Sequence, residues 1–342
     1  MPFTIIRNDI TKLKVDAIVN AANTGLQMGG GVCGAVFAAA GAKKLRAACN
    51  ALAPIQTGEA VITKGFDLPA KYIIHAAGPV YHDGKRNEEA LLRACYINSL
   101  NIAAEHGCES VAFPLISSGV YGYPKKEALR VASNAIRDFI SDNEIDVSLV
   151  VFDKDSVAVS EELLGAVESY IGGHYAEEQY GRSLLPGIKH SQTDARMMNQ
   201  NIPTPIFLES VREIAPKTTG AQFDDIMENL DEPFSSALLR LIDATGKKDS
   251  EIYRGANIDR RLFSKIRGNT DYAPSKPTVI AFAVALQLNL GQTEDLLVRA
   301  GFALSRSRKF DVIVEFFIKN KKYDIYEINE VLFKYDQPLL GG

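Results

Sequence analysis

Two glycine-rich segments have the residue types and the placement that phosphate binding requires. The first spans residues 20–32 and contains the run Gly29-Gly30-Gly31, and the second spans residues 116–124. Each follows a short apolar segment and leads into a helix-like one. Glycine lets backbone N–H groups approach a ligand closely, and a helix N-terminus adds unpaired N–H donors and a positive dipole end. Facing each other, the two segments could grip a diphosphate.

Neither glycine-rich segment matches a standard nucleotide-binding motif. The patterns GxxxxGK[ST] and GxGxxG are both absent from them, and the core of neither contains a lysine. Phosphate binding would therefore depend on neutral backbone donors. A tight turn is the alternative for one such segment, but two of them, each between a buried strand and a helix, favour a ligand site.

The elements that would position these segments alternate along the first 152 residues. Apolar, β-branched runs predict strands at 3–6, 17–19, 59–64, 72–75, 110–116 and 147–152. Helical periodicity predicts helices at 32–48, 87–106 and 125–141. Buried strands between helices predict a three-layer α/β/α sandwich, in which ligands bind at the carboxyl ends of the strands.

Composition describes an ordinary globular chain of two or three domains: 342 residues, 46% hydrophobic, 23% charged, net charge −4. Four cysteines without a CxxC pair argue against a disulfide framework and a clustered zinc site, so we expect no metal and no cofactor. The apolar runs fall far short of the roughly 20 residues that cross a bilayer. Because the N-terminus also lacks the pattern of a signal peptide, we expect a cytoplasmic protein without membrane contact.

Five motifs carry a resemblance to a known family over about residues 1–175. They are Asn8-Asp9-Ile10-Thr11, Val19-Asn20-Ala21-Ala22-Asn23, Gly29-Gly30-Gly31-Val32, His75-Ala76-Ala77-Gly78-Pro79 and Ile116-Ser117-Ser118-Gly119-Val120-Tyr121-Gly122. In order and spacing this region resembles macrodomains. It looks most like the MacroD-type branch, which binds ADP-ribose and often removes ADP-ribose from modified proteins.

The resemblance implies a role for each matching residue. Asp9 would accept a hydrogen bond from the adenine amino group, with Ile10 backing the ring, and the Asn23 amide would hydrogen-bond the distal ribose. The remaining residues would line the distal ribose and phosphate (Gly30, Gly31, Val32), donate backbone N–H groups to the diphosphate (Ser118, Gly119, Val120, Tyr121, Gly122) or stack on adenine (Phe152).

Several of these residues also have a purely structural interpretation. Asp9 could cap the turn before Thr11, Asn23 could be a turn residue, and Phe152 could be part of the core. His75 ends an apolar strand, where we expect a hydrogen-bonded structural histidine outside the site.

Cys33 is the important departure from the family pattern. In the hydrolytic MacroD pattern an Asp commonly stands ten positions after the key Asn, where it is thought to position water, and here that position is Cys33. A thiol is a poor water-orienting acceptor. Asn23 and Cys33 are therefore the catalytic candidates, but the change weakens the case for an ADP-ribosyl hydrolase. A reactive Cys33 at a helix N-terminus and a small apolar filler are both open.

The C-terminal half divides into a connector and a helical domain. Residues 176–233 are polar and rich in proline, which indicates a connector with short helices, and the domains are expected at 1–175, 176–233 and 234–342. Helices are predicted at 234–245, 248–255, 258–267, 276–288 and 292–300, with Asn257, Ser275 and Gly291 at or near starts. Two further helical turns fall within 310–340. The all-α region at 234–302 resembles the repressor-like helix-turn-helix fold, with 256–269 as the recognition helix.

This resemblance makes DNA a candidate partner of the helical domain. Arg260, Arg261, Lys265 and Arg267 would face phosphates or base edges, and residues 234–342 carry a net charge of +4. The alternative is that these charges form the solvated face of a helical protein-interaction module.

Three functions stay open at this point. The first is hydrolysis of ADP-ribosyl or acylated ADP-ribose linkages. The second is a non-catalytic sensor of ADP-ribose or ADP-ribosylated protein, coupled to DNA or a protein partner. The third is a scaffold with a vestigial pocket.

Overall fold

A six-stranded mixed sheet lies at the centre of the N-terminal half, in a computed structural model that describes residues 2–151, 163–172 and 232–341. The strands are β1 (Phe3–Arg7), β2 (Ala17–Ala22), β3 (Ala60–Lys64), β4 (Tyr72–Ala77), β5 (Ser110–Pro114) and β6 (Asp146–Val151), in the order β1-β6-β5-β2-β4-β3. Only the β3–β4 pair is antiparallel. The carboxyl ends of β2, β5 and β6 therefore meet at one edge.

Helices cover both faces of the sheet. They are α1 (Gly31–Ala40), α2 (Ala42–Leu52), α3 (Glu88–Glu105) and α4 (Lys125–Ile140). One buried apolar cluster joins the sheet to α1 and α2, and another joins it to α3 and α4. The near-continuous apolar strands require this double cover, because each strand has two faces to bury. The predicted three-layer α/β/α sandwich is confirmed.

The predicted single helix at 32–48 is wrong, because the helix breaks at Gly41. The backbone there is left-handed (φ 85°), and its N–H donates to the Ala38 carbonyl, which ends α1. Glycine adopts this conformation without the steric cost that other residues bear. α2 then begins at Ala42.

The C-terminal region is helical, as predicted. After α5, whose described part is 163–172, come α6 (Phe234–Thr245), α7 (Asp249–Gly255), α8 (Arg260–Gly268), α9 (Lys276–Ala285), α10 (Leu290–Arg299), α11 (Lys309–Lys319) and α12 (Ile325–Lys334). Two starts differ from prediction: Asp259 rather than Asn257 caps α8, and Asn289 rather than Gly291 caps α10 through a capping box with Gln292. Ser275 caps α9.

Residues 1–171 and 233–342 pack as one unit with a shared core. The apolar cluster on the α3–α4 side of the sheet continues into α6–α12, and the rings of Phe3 and Tyr326 lie 5.7 Å apart. Most of the second unit, residues 172–232, lies outside the described residues, as do Phe152 and nearly all of the predicted connector. The proposed domain boundaries stay a prediction.

Candidate functional site

A cavity of about 430 Å³ opens between the two glycine-rich segments, at the carboxyl ends of β2, β5 and β6. The strands that precede the segments run parallel with β5 and β2 paired, which brings both loops to the same edge. The structure gathers most of the predicted site residues around this cavity: Asn23, Gly30, Gly31, Val32, Cys33, Ser118, Gly119, Val120 and Tyr121.

Asn23 closes the first loop with its side-chain amide. Its Nδ2 donates to the Gln27 carbonyl at 2.8 Å, and its Oδ1 accepts from the Gln27 N–H at 3.0 Å. The turn between them is tight, with Leu26 in the left-handed region (φ 51°). A primary amide has two N–H donors and two acceptor lone pairs, so these two bonds do not exhaust it. Asn23 therefore keeps one N–H donor and one acceptor lone pair for a further partner.

Backbone hydrogen bonds within the second loop fix its conformation. Gly122 donates its N–H to the Gly119 carbonyl at 2.9 Å, and Tyr123 donates to the Ser117 carbonyl at 3.0 Å. Ser117 is left-handed (φ 63°) and buried against the cavity. The Gly122 N–H is thus used inside the loop, and Gly122 is not among the cavity-lining residues. Gly122 shapes the loop, while residues 118–121 line the cavity.

The site also contains a basic residue, Lys125, that the sequence analysis did not predict. Lys125, the first residue of α4, lines the cavity together with Ser117 and Gly78. The search for lysine covered only the cores of the two loops, and Lys125 stands directly after the Gly-Tyr-Pro sequence that ends the second loop. A lysine at a helix N-terminus that faces a cavity adds a positive charge to the neutral backbone donors.

Asp9 caps a short 3-10 helix, Ile10–Lys12. Its Oδ1 accepts from the Thr11 hydroxyl at 2.7 Å and from the Thr11 N–H at 3.0 Å. These bonds hold the pKa of the Asp9 carboxyl below its ordinary value, so it is an acceptor at neutral pH. Ile10 is buried below it. Neither residue lines the cavity, and their proposed contacts with adenine stay predictions.

A buried polar network supports Cys33 at the wall of the cavity. Its Sγ lies 3.7 Å from Asn20 Nδ2, which donates to it, and 3.7 Å from the Gln27 carbonyl. The same Asn20 nitrogen lies 3.1 Å from His75 Nδ1, and His75 Nε2 lies 3.0 Å from the Thr63 hydroxyl. The sulfur is therefore held from two sides.

The protonation state of His75 follows from its burial. Burial lowers its pKa to about 4, so the ring is neutral at pH 7. Because Asn20 Nδ2 can only donate, Nδ1 must accept and the proton must be on Nε2, directed at Thr63. The expectation of a hydrogen-bonded structural histidine is confirmed.

The four predicted DNA-contacting residues face two different environments. Arg260 pairs with Glu144 at 3.6 Å, and Arg261 pairs with Glu109 at 2.6 Å, both glutamates lying in the N-terminal half. Arg267 pairs with Asp249 of α7, and Lys265 is exposed. The first turn of the predicted recognition helix, α8, thus meets the loops before β5 and β6. Its role in DNA binding stays a prediction.

Further hydrogen bonds near these ion pairs join the helical region to the N-terminal half. The Tyr253 hydroxyl donates to Glu144 at 3.2 Å, and Arg254 donates to the Ser141 carbonyl. Asn257, in the turn before α8, is fully buried against the backbone of Phe3 in β1. The turn before α8 therefore packs against the edge strand β1.

Over the part of the chain that the structure describes, no helix has the length and apolar character needed to span a bilayer. The same residues contain no group of three or more His, Cys, Asp or Glu side chains placed to hold a metal ion. The cytoplasmic location stays a prediction.

Comparison with known proteins identifies the N-terminal half. The Macro domain family model matches residues 19–132. A macro domain-containing protein of Chlorobaculum tepidum is 52% identical over 147 residues, which cover 43% of this chain and 84% of that protein. The chain belongs to the macrodomain family. No family is assigned to the helical C-terminal region.

Solved macrodomain structures show the same sequence relationship. The Oceanobacillus iheyensis macrodomain with ADP is 41% identical, with 44% of this chain and 84% of that chain covered and a TM-score of 0.43. The Trypanosoma brucei macrodomain in complex with ADP-ribose is 39% identical, with 45% and 65% covered and a TM-score of 0.41.

Proposed function

We propose that residues 1–175 bind ADP-ribose, free or attached to protein. The observation that carries this proposal is the cavity that residues of both loops line, together with Gly31 at the start of α1 and Lys125 at the start of α4. In this proposal residues 118–121 and Lys125 hold the diphosphate. Gly30, Gly31 and Val32 lie along the distal ribose, and Asn23 binds its hydroxyls.

The adenine end of the same proposal depends on Asp9. An ionised carboxylate accepts and cannot donate, which suits the exocyclic amino group of adenine and rejects a carbonyl at that position. Asp9 Oδ1 accepts two hydrogen bonds from Thr11, so we assign to adenine the other oxygen, Oδ2, which lies 3.6 Å from Lys12 Nζ. Phe152 would complete this end by stacking.

We further propose that the site hydrolyses ADP-ribosyl or acyl-ADP-ribose linkages slowly. Asn23 would hold the distal ribose so that water attacks the anomeric carbon or the ester carbonyl, with positioning as the main source of rate enhancement. The Cys33 thiol cannot replace a carboxylate as an acceptor for that water, so a substrate phosphate oxygen would orient it.

A second candidate function is a reader that binds ADP-ribose without turnover, and Cys33 favours it. The sulfur is buried between Asn20 and the Gln27 carbonyl, where it fills the position that carries an acidic residue in the hydrolytic pattern. A reader needs the ribose contact of Asn23 and the diphosphate contacts, and it needs no group that activates water.

Two measurements separate these candidates. Titration calorimetry of the full chain with ADP-ribose tests binding, and Asn23→Ala should weaken it. A single-turnover assay on a protein mono-ADP-ribosylated at an acidic residue tests turnover. Binding without release above the uncatalysed rate supports the reader, and no heat of binding would remove both candidates and leave the scaffold.

For the helical region we propose protein contact rather than DNA contact, with the macrodomain of the same chain as the partner. The support comes from Arg260 and Arg261, whose charges are paired with Glu144 and Glu109. A salt-dependent gel shift on mixed duplexes tests this. The double variant Glu109→Gln/Glu144→Gln removes the charges that pair with both arginines without replacing any residue of the helical region. A shift by the wild-type chain that is lost in Arg260→Ala/Arg261→Ala would favour DNA.

A further inference from the structure

Glu88, the first residue of α3, is a buried carboxylate that backbone N–H groups surround. Its side chain is 2% exposed. Oε1 accepts from the His82 N–H at 3.2 Å, and Oε2 accepts from the Arg86 N–H at 2.6 Å. Burial raises its pKa, but the backbone N–H bonds outweigh burial and leave the pKa below its ordinary value. The ionised carboxylate therefore fixes the turn at 82–86 around itself.

This turn is joined directly to the second glycine-rich loop. Tyr81, the residue before His82, donates its N–H to the Tyr121 carbonyl at 2.9 Å. The rings of Tyr81 and Tyr123 also contact each other, with centroids 4.8 Å apart. The peptide group between Tyr121 and Gly122 is thus fixed at both ends, because the Gly122 N–H donates to Gly119.

The orientation of that peptide group matters for an anion in the cavity. Tyr121 lines the cavity, and its carbonyl oxygen carries a partial negative charge that would repel a phosphate. The bond from Tyr81 keeps this carbonyl directed at the 79–87 segment. Donors that are already oriented bind without the entropy cost of ordering a glycine-rich loop, which is large because glycine has many accessible conformations.

We infer that Glu88 is a positioning residue for the diphosphate loop, acting through the 82–86 turn and Tyr81. This inference rests on the proposed ADP-ribose site and deepens it: Glu88 does not touch the ligand, but it sets the conformation of the loop that does. The ligand class that it favours is a diphosphate, since that is the group the loop would hold.

The variant Glu88→Gln separates this role from simple packing. Glutamine has nearly the volume of glutamate, but it is neutral and its amide NH₂ cannot accept from a backbone N–H. The matched control is Glu89→Gln, since Glu89 is the next residue of α3, is exposed and pairs with Arg130 at 2.9 Å. Glu88→Ala, which removes both acceptor oxygens, gives the upper limit of the effect.

We expect two changes in Glu88→Gln. Hydrogen exchange should become faster in the peptide that covers 117–123 and stay unchanged in a peptide from β4. The dissociation constant for ADP-ribose should rise about tenfold. Glu88→Ala should show both effects more strongly, and Glu89→Gln should behave as the wild-type protein does.

The hydrogen-exchange measurement needs no ligand. It can therefore test the role of Glu88 separately from the proposal that the chain binds ADP-ribose. If the wild-type chain fails to bind ADP-ribose, the proposed function fails, and the exchange of 117–123 still decides whether Glu88 orders the loop. Wild-type exchange and wild-type affinity in Glu88→Gln would overturn the inference. Faster exchange across the whole macrodomain would also overturn it, since that would mean a general structural role.

Discussion

The side-chain amide of Asn257 pairs with the backbone of Phe3 as a neighbouring strand would. The Phe3 N–H donates to Asn257 Oδ1 at 2.6 Å, and Asn257 Nδ2 donates to the Phe3 carbonyl at 3.0 Å. β1 is an edge strand, and an edge strand presents N–H and C=O groups that otherwise have no partner. One side chain of the helical region thus satisfies the Phe3 backbone groups at the open edge of the macrodomain sheet.

Replacement of Asn257 by alanine should destabilise the fold substantially. Two buried polar groups of Phe3 would lose their partner, and each such loss costs about 1–3 kcal/mol. Asn257 is also left-handed (φ 54°), a conformation that asparagine tolerates better than alanine does. Chemical denaturation should show the free energy of unfolding lowered by about 2–6 kcal/mol.

Asn101→Ala serves as the control for this experiment, because Asn101 is exposed on α3. We expect its free energy of unfolding to stay within about 0.5 kcal/mol of wild type. If Asn257→Ala unfolds at the same denaturant concentration as this control, the amide does not stabilise the sheet edge.

Cys33 should be the thiol that ADP-ribose protects from alkylation. All four cysteines are free and buried, and Cys33 is the one among the cavity-lining residues. A bound ligand would cover it and would leave the paths to Cys49, Cys95 and Cys108 unchanged. Mass spectrometry after timed treatment with N-ethylmaleimide should show slower labelling of Cys33 in the presence of ADP-ribose. Equal labelling of Cys33 with and without a saturating ligand would place the ligand elsewhere.

Cys33→Asp should preserve or raise the release of ADP-ribose from a mono-ADP-ribosylated acidic residue. The new carboxylate could accept a hydrogen bond from water at the wall of the cavity, and Asn20 Nδ2 is placed to donate to it. Asn23→Ala should abolish release, because its amide both closes the first loop and holds the distal ribose. Single-turnover assays measure both rates, and undiminished release by Asn23→Ala would remove Asn23 from the mechanism.

The sequence predicted the sheet, its cover of helices and the two loops because strong local signals encode them. Apolar runs such as 110–116 predict strands that are buried on both faces. Glycine clusters that follow strands predict loops. Gly41 was not recognised as a break, because it stands in an alanine-rich stretch whose periodicity continues across it. Lys125 was missed because its role depends on the direction of α4 and not on its own segment.

The sequence did not predict contacts between residues that are far apart in the chain. Arg260 and Arg261 resemble DNA-contacting residues when α8 is considered alone, and only the fold brings Glu144 and Glu109 to them. Asn257 resembles a helix cap in the sequence, whereas its partner Phe3 is 254 positions away. Helix capping depends on residues that are close in sequence, so the sequence can predict it. A pairing between distant residues can be seen only in the folded structure.

Glu330 of α12 should make stability depend on pH. Burial raises the pKa of its carboxyl from 4.5 to about 7, with Asp324 and Glu327 adding to the effect and Arg137 opposing it. A raised pKa means that the folded state holds the proton more tightly than the unfolded state does. Its contribution to stability is therefore present at about pH 4 and is lost as the pH rises toward 7.

Glu330→Gln removes this ionisation and keeps the shape of the side chain. We expect the free energy of unfolding of the variant to match the wild type near pH 4 and to exceed it by up to about 3 kcal/mol at pH 8, since each pKa unit corresponds to about 1.4 kcal/mol. Glu105→Gln is the matched control, because Glu105 is an exposed glutamate in the last turn of α3. Urea denaturation at pH 4, 6 and 8 measures the difference in free energy of unfolding between the variant and the wild type. If this difference is the same at all three pH values, Glu330 ionises as freely in the folded chain as in the unfolded one.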